Sequence, residues 1–188
     1  MRAGPSTPQN GSVAVVCGGV GAARFMRALA SVHRPTKTIA IINTGDDTVL
    51  HGLNISPDID TVIYTLAGAI DPERGWGLRG ESWRAMESLE RYATVKPDGS
   101  TAAPTWFNLG DKDLATHLFR TARLAEGATL TSVTAEIARA WGLEQRLLPM
   151  SDTAVSTMVS LREEGIEVPF QEYFVQRHHN VSVSALRF

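Results

Sequence analysis

Four aspartates lie in two short motifs whose spacing is suited to binding a metal ion and phosphate groups. Asp46 and Asp47 end the motif "NTGDD", and Asp58 and Asp60 belong to "SPDID". Carboxylates held close together repel one another and resist ionisation unless a cation neutralises them. Magnesium bound by one or two carboxylates together with phosphate oxygens meets that need. Taken singly, each aspartate can equally be structural, and Asp60 is also placed to cap a helix that begins at Thr61.

A glycine-rich stretch is the second candidate for phosphate chemistry. Gly18, Gly19 and Gly21 lie where the apolar run "VAVVC" meets the amphipathic segment "AARFMRAL". Glycines let the backbone approach a ligand, and a helix N-terminus offers free N–H groups with partial positive charge. A tight turn without a ligand is the alternative. Arg24 breaks the dinucleotide fingerprint, and no Walker sequence occurs, so neither NAD nor a P-loop is indicated.

Two further motifs carry polar residues where predicted elements begin or end. In "WFNLGDKDLATHL", Asp111 is a natural N-cap for the helix that follows. Lys112 is a cation at the start of that helix, where the helix dipole disfavours positive charge. A lysine in this position weakly indicates a contact with a ligand. His117 lies within that helix, where a structural or exposed histidine is the simpler interpretation. "PMSD" places Ser151 and Asp152 at the end of a predicted strand.

The elements that must position these residues are typical of an α/β protein. Apolar runs predict strands at Val13 to Cys17 and Thr38 to Ile42, with a helix between them and residues 18–21 in the loop before it. This order implies a right-handed βαβ unit and a parallel sheet. "RLLPM" predicts another strand, and "TMVSL" and "VPFQEYFV" predict a hairpin. We therefore expect a Rossmann-like open, mostly parallel sheet with flanking helices and a C-terminal β-hairpin.

That fold brings the glycines and the aspartates together, because ligands bind beyond the carboxyl ends of the strands in such sheets. Residues 46–60 are expected to form a polar loop there, followed by a helix over 61–67. We expect a disordered tail over 1–11 and one domain over 12–188.

Composition limits the classes of partner and compartment. The 188 residues carry 18 Lys and Arg against 20 Asp and Glu, a net charge of -2, so no basic surface for nucleic acid is indicated. No apolar run is long enough to cross a membrane. Cys17 is the only cysteine, which excludes a disulfide scaffold and suits a reducing cytoplasm.

The ordered motifs resemble those of a known family. "GGVGAARF", "NTGDD", "HGLNISPDIDTVIYTLAG", "DPERGWGLRGESW", "WFNLGDKDLATHL", "LLPMSD" and "FQEYFV" occur in the order typical of the 2-phospho-L-lactate transferase family of coenzyme F-420 biosynthesis. The similarity runs from Val13 to the end of the chain. It is greatest to the actinobacterial branch, which uses an enolpyruvyl donor.

The resemblance implies a magnesium-assisted transfer of a phospholactyl or phosphoenolpyruvyl group. The donor is a guanosine diphosphate derivative, the acceptor is the ribityl hydroxyl of the deazaflavin Fo, and GMP is released. By motif, Asp60 and Lys112 would contact Fo, residues 19–22 would line the donor site, and Asp46 and Asp60 are the candidate catalytic residues. Asp46, Asp47 and Asp60 are the candidate metal ligands. The candidate substrate-binding residues are Gly18, Gly19, Val20, Gly21, Asn43, Thr44, Asp60, Asp111, Lys112, Ser151 and Asp152.

Two departures from the family pattern leave alternatives open. Ala22 replaces a usual glycine, and family members continue well past "VSALRF", so we expect this chain to correspond to a front portion without the family's C-terminal part. A non-catalytic module that binds Fo or a nucleotide is therefore the alternative function. The gluconeogenesis-factor family has a similar first strand but a glycine- and serine-rich run where this chain has "DDTVLHGLN". The lactyl or enolpyruvyl identity of the donor, and the presence of a homodimer, stay open.

Overall fold

The computed structural model describes residues 11–188, and positions 1–10 lie outside the described residues. The predicted tail over 1–11 therefore falls almost wholly outside them, and the division into a tail and a single domain stays a prediction. In chain order the elements are β1 (Val13–Cys17), α1 (Gly19–Val32), β2 (Thr38–Ile42), β3 (Thr48–Leu50), β4 (Leu53–Ile55), α2 (Pro57–Leu66), α3 (Arg84–Ala93), α4 (Asp111–Ala125), α5 (Leu130–Ala140), β5 (Arg146–Pro149), β6 (Met158–Leu161), β7 (Glu167–Pro169) and β8 (Val183–Arg187).

A parallel sheet in the order β1-β2-β5 forms the centre of the fold, which confirms the predicted α/β class. Its strands are apolar and rich in β-branched residues, as strands of buried parallel sheets usually are. One face packs against α1, α2 and α5 through a core that includes Met26, Ile59, Ile63, Val133 and Ile137. The strands and helices therefore agree with the βαβ arrangement expected from the sequence.

The other face of this sheet is open within the described part of the chain. Val16, Ile41 and Leu148 are cross-strand partners in register, so their side chains share that face. Val16 is 84% exposed, and no helix of the core cluster packs on it.

The C-terminal region confirms the predicted hairpin and adds a strand to it. β6 pairs antiparallel with β7 and, on its other side, with β8, which gives a three-stranded sheet in the order β7-β6-β8. "VPFQEYFV" is only partly a strand, because a π-helical turn over Glu172–Gln176 follows β7.

Three local predictions were wrong. Helix α1 begins at Gly19, so the glycine turn before it is shorter than the predicted loop over 18–21. Residues 46–60 are not only loop, because β3 and β4 form an antiparallel hairpin there with positive φ at His51 and Gly52. Helix α2 begins at Pro57, a residue pre-organised for the first helical position. Asp60 therefore lies inside this helix instead of capping one that begins at Thr61.

Candidate functional site

Asp58 organises the turn between β1 and α1. Its Oδ1 accepts a hydrogen bond from the backbone N–H of Gly19 at 2.7 Å, and its Oδ2 accepts one from Asn43 Nδ2 at 2.9 Å. A Cβ atom on Gly18 would lie 2.6 Å from Asp58 Oδ2. The first N–H of α1 thus binds a carboxylate of the protein, and this contact explains why the helix begins so close to the strand.

An aromatic cleft of about 500 Å³ lies beside this turn. We use the term aromatic cleft for the cavity whose aromatic walls are Tyr64, Trp76, Trp106, Phe107, Phe170 and Phe174. Gly19 and Val20 also line it, and its acidic lining residues are Asp46, Asp58, Asp60 and Asp113. Apolar walls with a few polar groups are typical of sites that bind small organic ligands.

Trp76 is held at the cleft by a neighbouring arginine. The Arg74 guanidinium lies 5.1 Å from the ring centroid of Trp76 and 5.0 Å from that of Trp83. Arg74 also forms an ion pair with Glu81 at 2.9 Å, and the Glu81 side chain is fully buried. Cation–π contacts of this kind fix an aromatic side chain that is otherwise 43% exposed.

A second cavity, the strand-end cavity, lies at the carboxyl ends of β2 and β5. Its volume is about 430 Å³, and Thr44, Asp46, Asp47, Asp152 and Ser156 are among its polar lining residues. Asp46 is the acidic residue that lines both this cavity and the aromatic cleft. The two cavities therefore meet at a single carboxylate.

The acidic pair of "NTGDD" is poorly neutralised. Burial raises the pKa of Asp47 to about 7, although Ser56 donates a hydrogen bond to its Oδ2 at 2.7 Å. Its Oδ1 is buried and has no hydrogen-bond partner, and the same is true of Thr44 Oγ1. Burial, followed by the negative charge of Asp58, also raises the pKa of Asp46. A bound cation would thus stabilise the ionised form of both carboxylates.

Asp60 is placed differently, because Arg120 already neutralises it. Asp60 is 4% exposed and Arg120 is fully buried. Both terminal nitrogens of the guanidinium donate to the Asp60 carboxylate, and Nη1 also reaches the carbonyl oxygen of Asn54 at 3.3 Å. Burial alone would lower the pKa of Arg120, but the Asp60 charge raises it.

His117 and Asp113 extend this polar network toward the cleft. His117 Nε2 lies 3.3 Å from Asp113 Oδ2, and the Tyr64 hydroxyl donates to Asp113 Oδ1 at 2.6 Å. Among the described residues, Asp60, Asp113 and His117 are the one group of three possible ligands whose atoms lie within 4.8 Å of one another. The predicted set of Asp46, Asp47 and Asp60 does not form such a group. Arg120 contacts two members of the observed group, and its charge opposes a metal ion there.

The residues of "GDK" lie away from both cavities. Lys112 is exposed, and its Nζ donates to the carbonyl oxygen of Arg79 at 2.9 Å. Asp111 is the first residue of α4 and not its N-cap, which is Gly110. The Asp111 carboxylate instead accepts hydrogen bonds from the Ser82 hydroxyl and from the backbone N–H of Ala85, near the start of α3. The structure thus places Asp60, but not Lys112, at the aromatic cleft.

The "PMSD" residues are divided between two tasks. Asp152 lines the strand-end cavity, and its Oδ1 accepts a hydrogen bond from the backbone N–H of Thr131 at 2.7 Å. Ser151 bonds to the backbone of Thr153, next to the cavity lining.

Sequence reasoning missed Arg120, Asp113 and most of the aromatic walls. Asp113 and His117 are four residues apart in α4, and Arg120 follows three residues later, so the three share one helix face. This spacing of a carboxylate, an imidazole and a guanidinium on a predicted helix is the signal that could have found them.

A parallel sheet with a glycine turn, acidic side chains and cavities near its strand ends is typical of Rossmann-like proteins, in which ligands bind beyond the carboxyl ends of the strands. The model of the family 2-phospho-L-lactate transferase CofD matches residues 13–188. The chain belongs to this family.

Curated relatives carry the name phosphoenolpyruvate transferase. The chain is 42% identical over 177 residues to the protein from Kitasatospora aureofaciens, covering 93% of this chain and 53% of the relative. It is 40% identical over 193 residues to the protein from Mycobacterium tuberculosis, covering 94% of this chain and 56% of the relative. The chain thus spans about half the length of the curated relatives it matches.

A solved structure of a UPF0052 family protein from Bacillus halodurans has the same fold. The TM-score is 0.54 at 13% identity, and the match covers 95% of this chain and 51% of that protein. In the described part of this chain, no helix has both the length and the apolar character needed to cross a membrane.

Proposed function

We propose that this chain transfers a phospholactyl or phosphoenolpyruvyl group from a guanosine diphosphate-linked donor to the ribityl hydroxyl of Fo, in coenzyme F-420 biosynthesis. Membership of the family supports the class of reaction. The observation that carries the proposal is that two cavities meet at Asp46, as a donor site and an acceptor site must. The buried, free Cys17 suits a reducing, cytoplasmic setting.

We assign the acceptor to the aromatic cleft. A deazaflavin is a flat ring system, and aromatic side chains bind such rings by stacking and edge contacts. Trp76 is held in place by Arg74 and offers a pre-positioned wall. Asp60 lines this cleft, in agreement with the acceptor contact inferred from its motif, while Lys112 would reach Fo only after leaving the Arg79 carbonyl.

We assign the phosphates of the donor to the strand-end cavity and, across the border with the aromatic cleft, to the glycine turn. Thr44 and Asp152 line this cavity, and Asn43 holds Asp58 at the neighbouring aromatic cleft. Gly19 and Val20 place the N-terminus of α1 at the neighbouring cleft. The Gly19 N–H is bound to Asp58, so the following N–H groups of the first turn are the ones left for a phosphate.

The residues present fit a magnesium ion at the meeting point of the two cavities. Asp47 Oδ1 is buried without a hydrogen-bond partner, and the pKa of both carboxylates is raised, so a cation would stabilise their ionised forms. Asp46 and Asp47 would hold the ion, and Mg²⁺ when bound would neutralise charge on the phosphates. Asp60 was a candidate ligand by motif, but its carboxylate is bound to Arg120.

In the proposed reaction, the ribityl oxygen forms a bond to the outer phosphorus of the donor. The bond from that phosphorus to the bridging oxygen breaks, and GMP leaves with the bridging oxygen. The hydroxyl proton passes to a carboxylate at the shared wall, for which Asp46 is the candidate. Positioning and neutralisation of charge contribute most of the rate enhancement in such transfers.

Thermal melts with magnesium and guanosine diphosphate test the cation site. A ligand that binds only the folded state raises the melting temperature by mass action. We expect wild type to gain stability from the two ligands together, and Asp46→Asn to lose that gain without becoming less stable in their absence. Asp98→Asn, at an exposed loop position, is the matched control and should respond like wild type. An unchanged ligand-induced shift in Asp46→Asn would contradict the assignment.

Release of GMP separates the enzyme from the alternative, a module that binds without catalysis. Incubation of the chain with Fo, donor and magnesium should yield GMP and the phosphodiester in equal amounts. Fo binding by fluorescence without any release of GMP would instead support the binding module.

A further inference from the structure

Asp113 is the end of the buried polar network that reaches the aromatic cleft. It lines the cleft, and its side chain is 16% exposed. The Asp60 side chain is 6% exposed, and Arg120 binds it through both terminal nitrogens. The Asp113 carboxylate is therefore more accessible to a ligand than the Asp60 carboxylate, which is already bound to Arg120.

His117 contacts both Arg120 and Asp113. Arg120 Nη1 lies 3.2 Å from His117 Nδ1, and His117 Nε2 lies 3.3 Å from Asp113 Oδ2 without forming a hydrogen bond to it. His117 thus packs against Asp113 without using one of its acceptor positions.

Asp113 is ionised, because its neighbours outweigh its burial. Burial alone would raise its pKa, but its contacts with His117 and Tyr64 lower it below the ordinary value. A carboxylate has about four acceptor positions, and the Tyr64 hydroxyl uses one of them, on Oδ1. In the described part of the chain, no lysine or arginine forms an ion pair with Asp113. It therefore presents a charged oxygen with spare acceptor capacity to a largely apolar cleft.

We propose that Asp113 is a specificity-determining residue of the aromatic cleft, accepting a hydrogen bond from an N–H or O–H on the edge of a flat ligand. The assignment rests on the proposed function, in which that ligand is a deazaflavin and the donor is the imide N–H of its pyrimidine ring. A site built to accept such a hydrogen bond rejects analogues that lack the donor, because the buried carboxylate would stay unpaired.

Fluorescence titrations with Fo and with Fo methylated at the imide nitrogen test the proposal. Wild type should bind Fo more tightly than the methylated compound by on the order of tenfold or more, the strength of a hydrogen bond to a charged group. Asp113→Ala, which has no side-chain acceptor, should weaken Fo binding by about the same factor and should bind the two compounds with nearly equal affinity. Asp98→Ala, at an exposed loop position, is the matched control and should discriminate like wild type.

The outcomes distinguish this proposal from the proposed function. Equal binding of the two compounds by wild type overturns the role of Asp113. This comparison uses wild type alone, so it does not depend on whether the variant folds. Undiminished discrimination in a folded Asp113→Ala protein also overturns it, because another group would then accept the hydrogen bond from the N–H. Failure of wild type to bind either compound overturns the assignment of Fo to the cleft, and the role of Asp113 with it.

Discussion

At the level of single residues, the aspartates of the site differ in what neutralises them. Asp58 receives two hydrogen bonds, from Gly19 and Asn43. Asp60 has the Arg120 guanidinium. Asp47 receives one hydrogen bond from Ser56 and keeps one buried oxygen without a partner. The same residue type therefore serves as a helix cap, as a structural ion pair and as a candidate metal ligand.

The raised pKa of Asp47 predicts a dependence of stability on pH. Burial raises its pKa from 3.8 to about 7 in the folded chain, so the folded state holds this proton more tightly than the unfolded state. Its contribution to the free energy of unfolding is therefore greatest below pH 3.8 and falls as pH rises to about 7. Asp47→Asn removes this decrease, so the variant should gain stability relative to wild type across that range.

Urea unfolding without magnesium, at pH about 4 and about 8, measures this difference. Asp98→Asn serves as the control and should follow wild type at both values. A constant difference between Asp47→Asn and wild type at the two values of pH would show that Asp47 titrates normally in the folded chain.

The sequence indicated which stretches form the site but not how their charges pair. "NTGDD" and "SPDID" were correctly expected near the glycine turn, because strand ends meet at one edge of a parallel sheet. Arg120 lies 60 residues beyond Asp60 in the chain, and nothing local in the sequence relates the two. Pairing over such a distance depends on how α4 packs, which the spacing of apolar residues does not specify.

At the level of elements, the turn from β1 into α1 uses glycine for two reasons, a positive φ of 70° at Gly19 and close packing at Gly18. Gly18 has φ -169° and ψ 149°, an extended conformation that any residue adopts. What requires glycine there is the nearby carboxylate of Asp58 and, at 3.0 Å from a Cβ, the side chain of Asn43. Gly21, by contrast, has no atom within 4 Å of a Cβ.

These two glycines predict opposite effects of alanine on stability. Gly18→Ala should destabilise the chain by about 1–3 kcal/mol, the usual cost of overpacking. Gly21→Ala should stabilise it by about 0.5–1 kcal/mol, because alanine loses less backbone entropy than glycine in a helix. Urea unfolding of both variants and wild type gives the two values.

Each variant is the control for the other, since both add one methyl group within four residues of chain. A loss of stability in Gly21→Ala comparable to that in Gly18→Ala would show that the turn needs glycine for a reason other than Asp58.

Regular elements were easier to predict than the segments that join them. β1 and β2 have the predicted bounds. A five-residue apolar run between polar residues predicts both the strand and its two ends. The β3–β4 hairpin was missed, since its strands have three residues each and its turn uses His51 with positive φ. The start of α1 was missed because it is set by Asp58, which lies far along the chain from Gly19.

At the scale of the whole molecule, the parallel sheet has one covered face and one open face. Parallel sheets are normally covered on both faces, and Val16, Ile41 and Leu148 form an apolar row on the open side. Uncovered apolar surface of this kind drives association with other apolar surface. At high concentration the surface available to it is a second copy of the chain.

We therefore predict that the chain self-associates through this face and that one lysine there weakens the association. Val16→Lys places a charge at the most exposed end of the apolar row, on the edge strand β1, where contact with a second copy would desolvate it. Val32→Lys is the matched control, because Val32 is similarly exposed, at 79%, but lies at the end of α1. Sedimentation velocity over a range of concentrations should show wild type and Val32→Lys associating and Val16→Lys shifted toward monomer. Equal behaviour of the two lysine variants, or a wild type that stays monomeric throughout, would show that the open face does not mediate contact between copies.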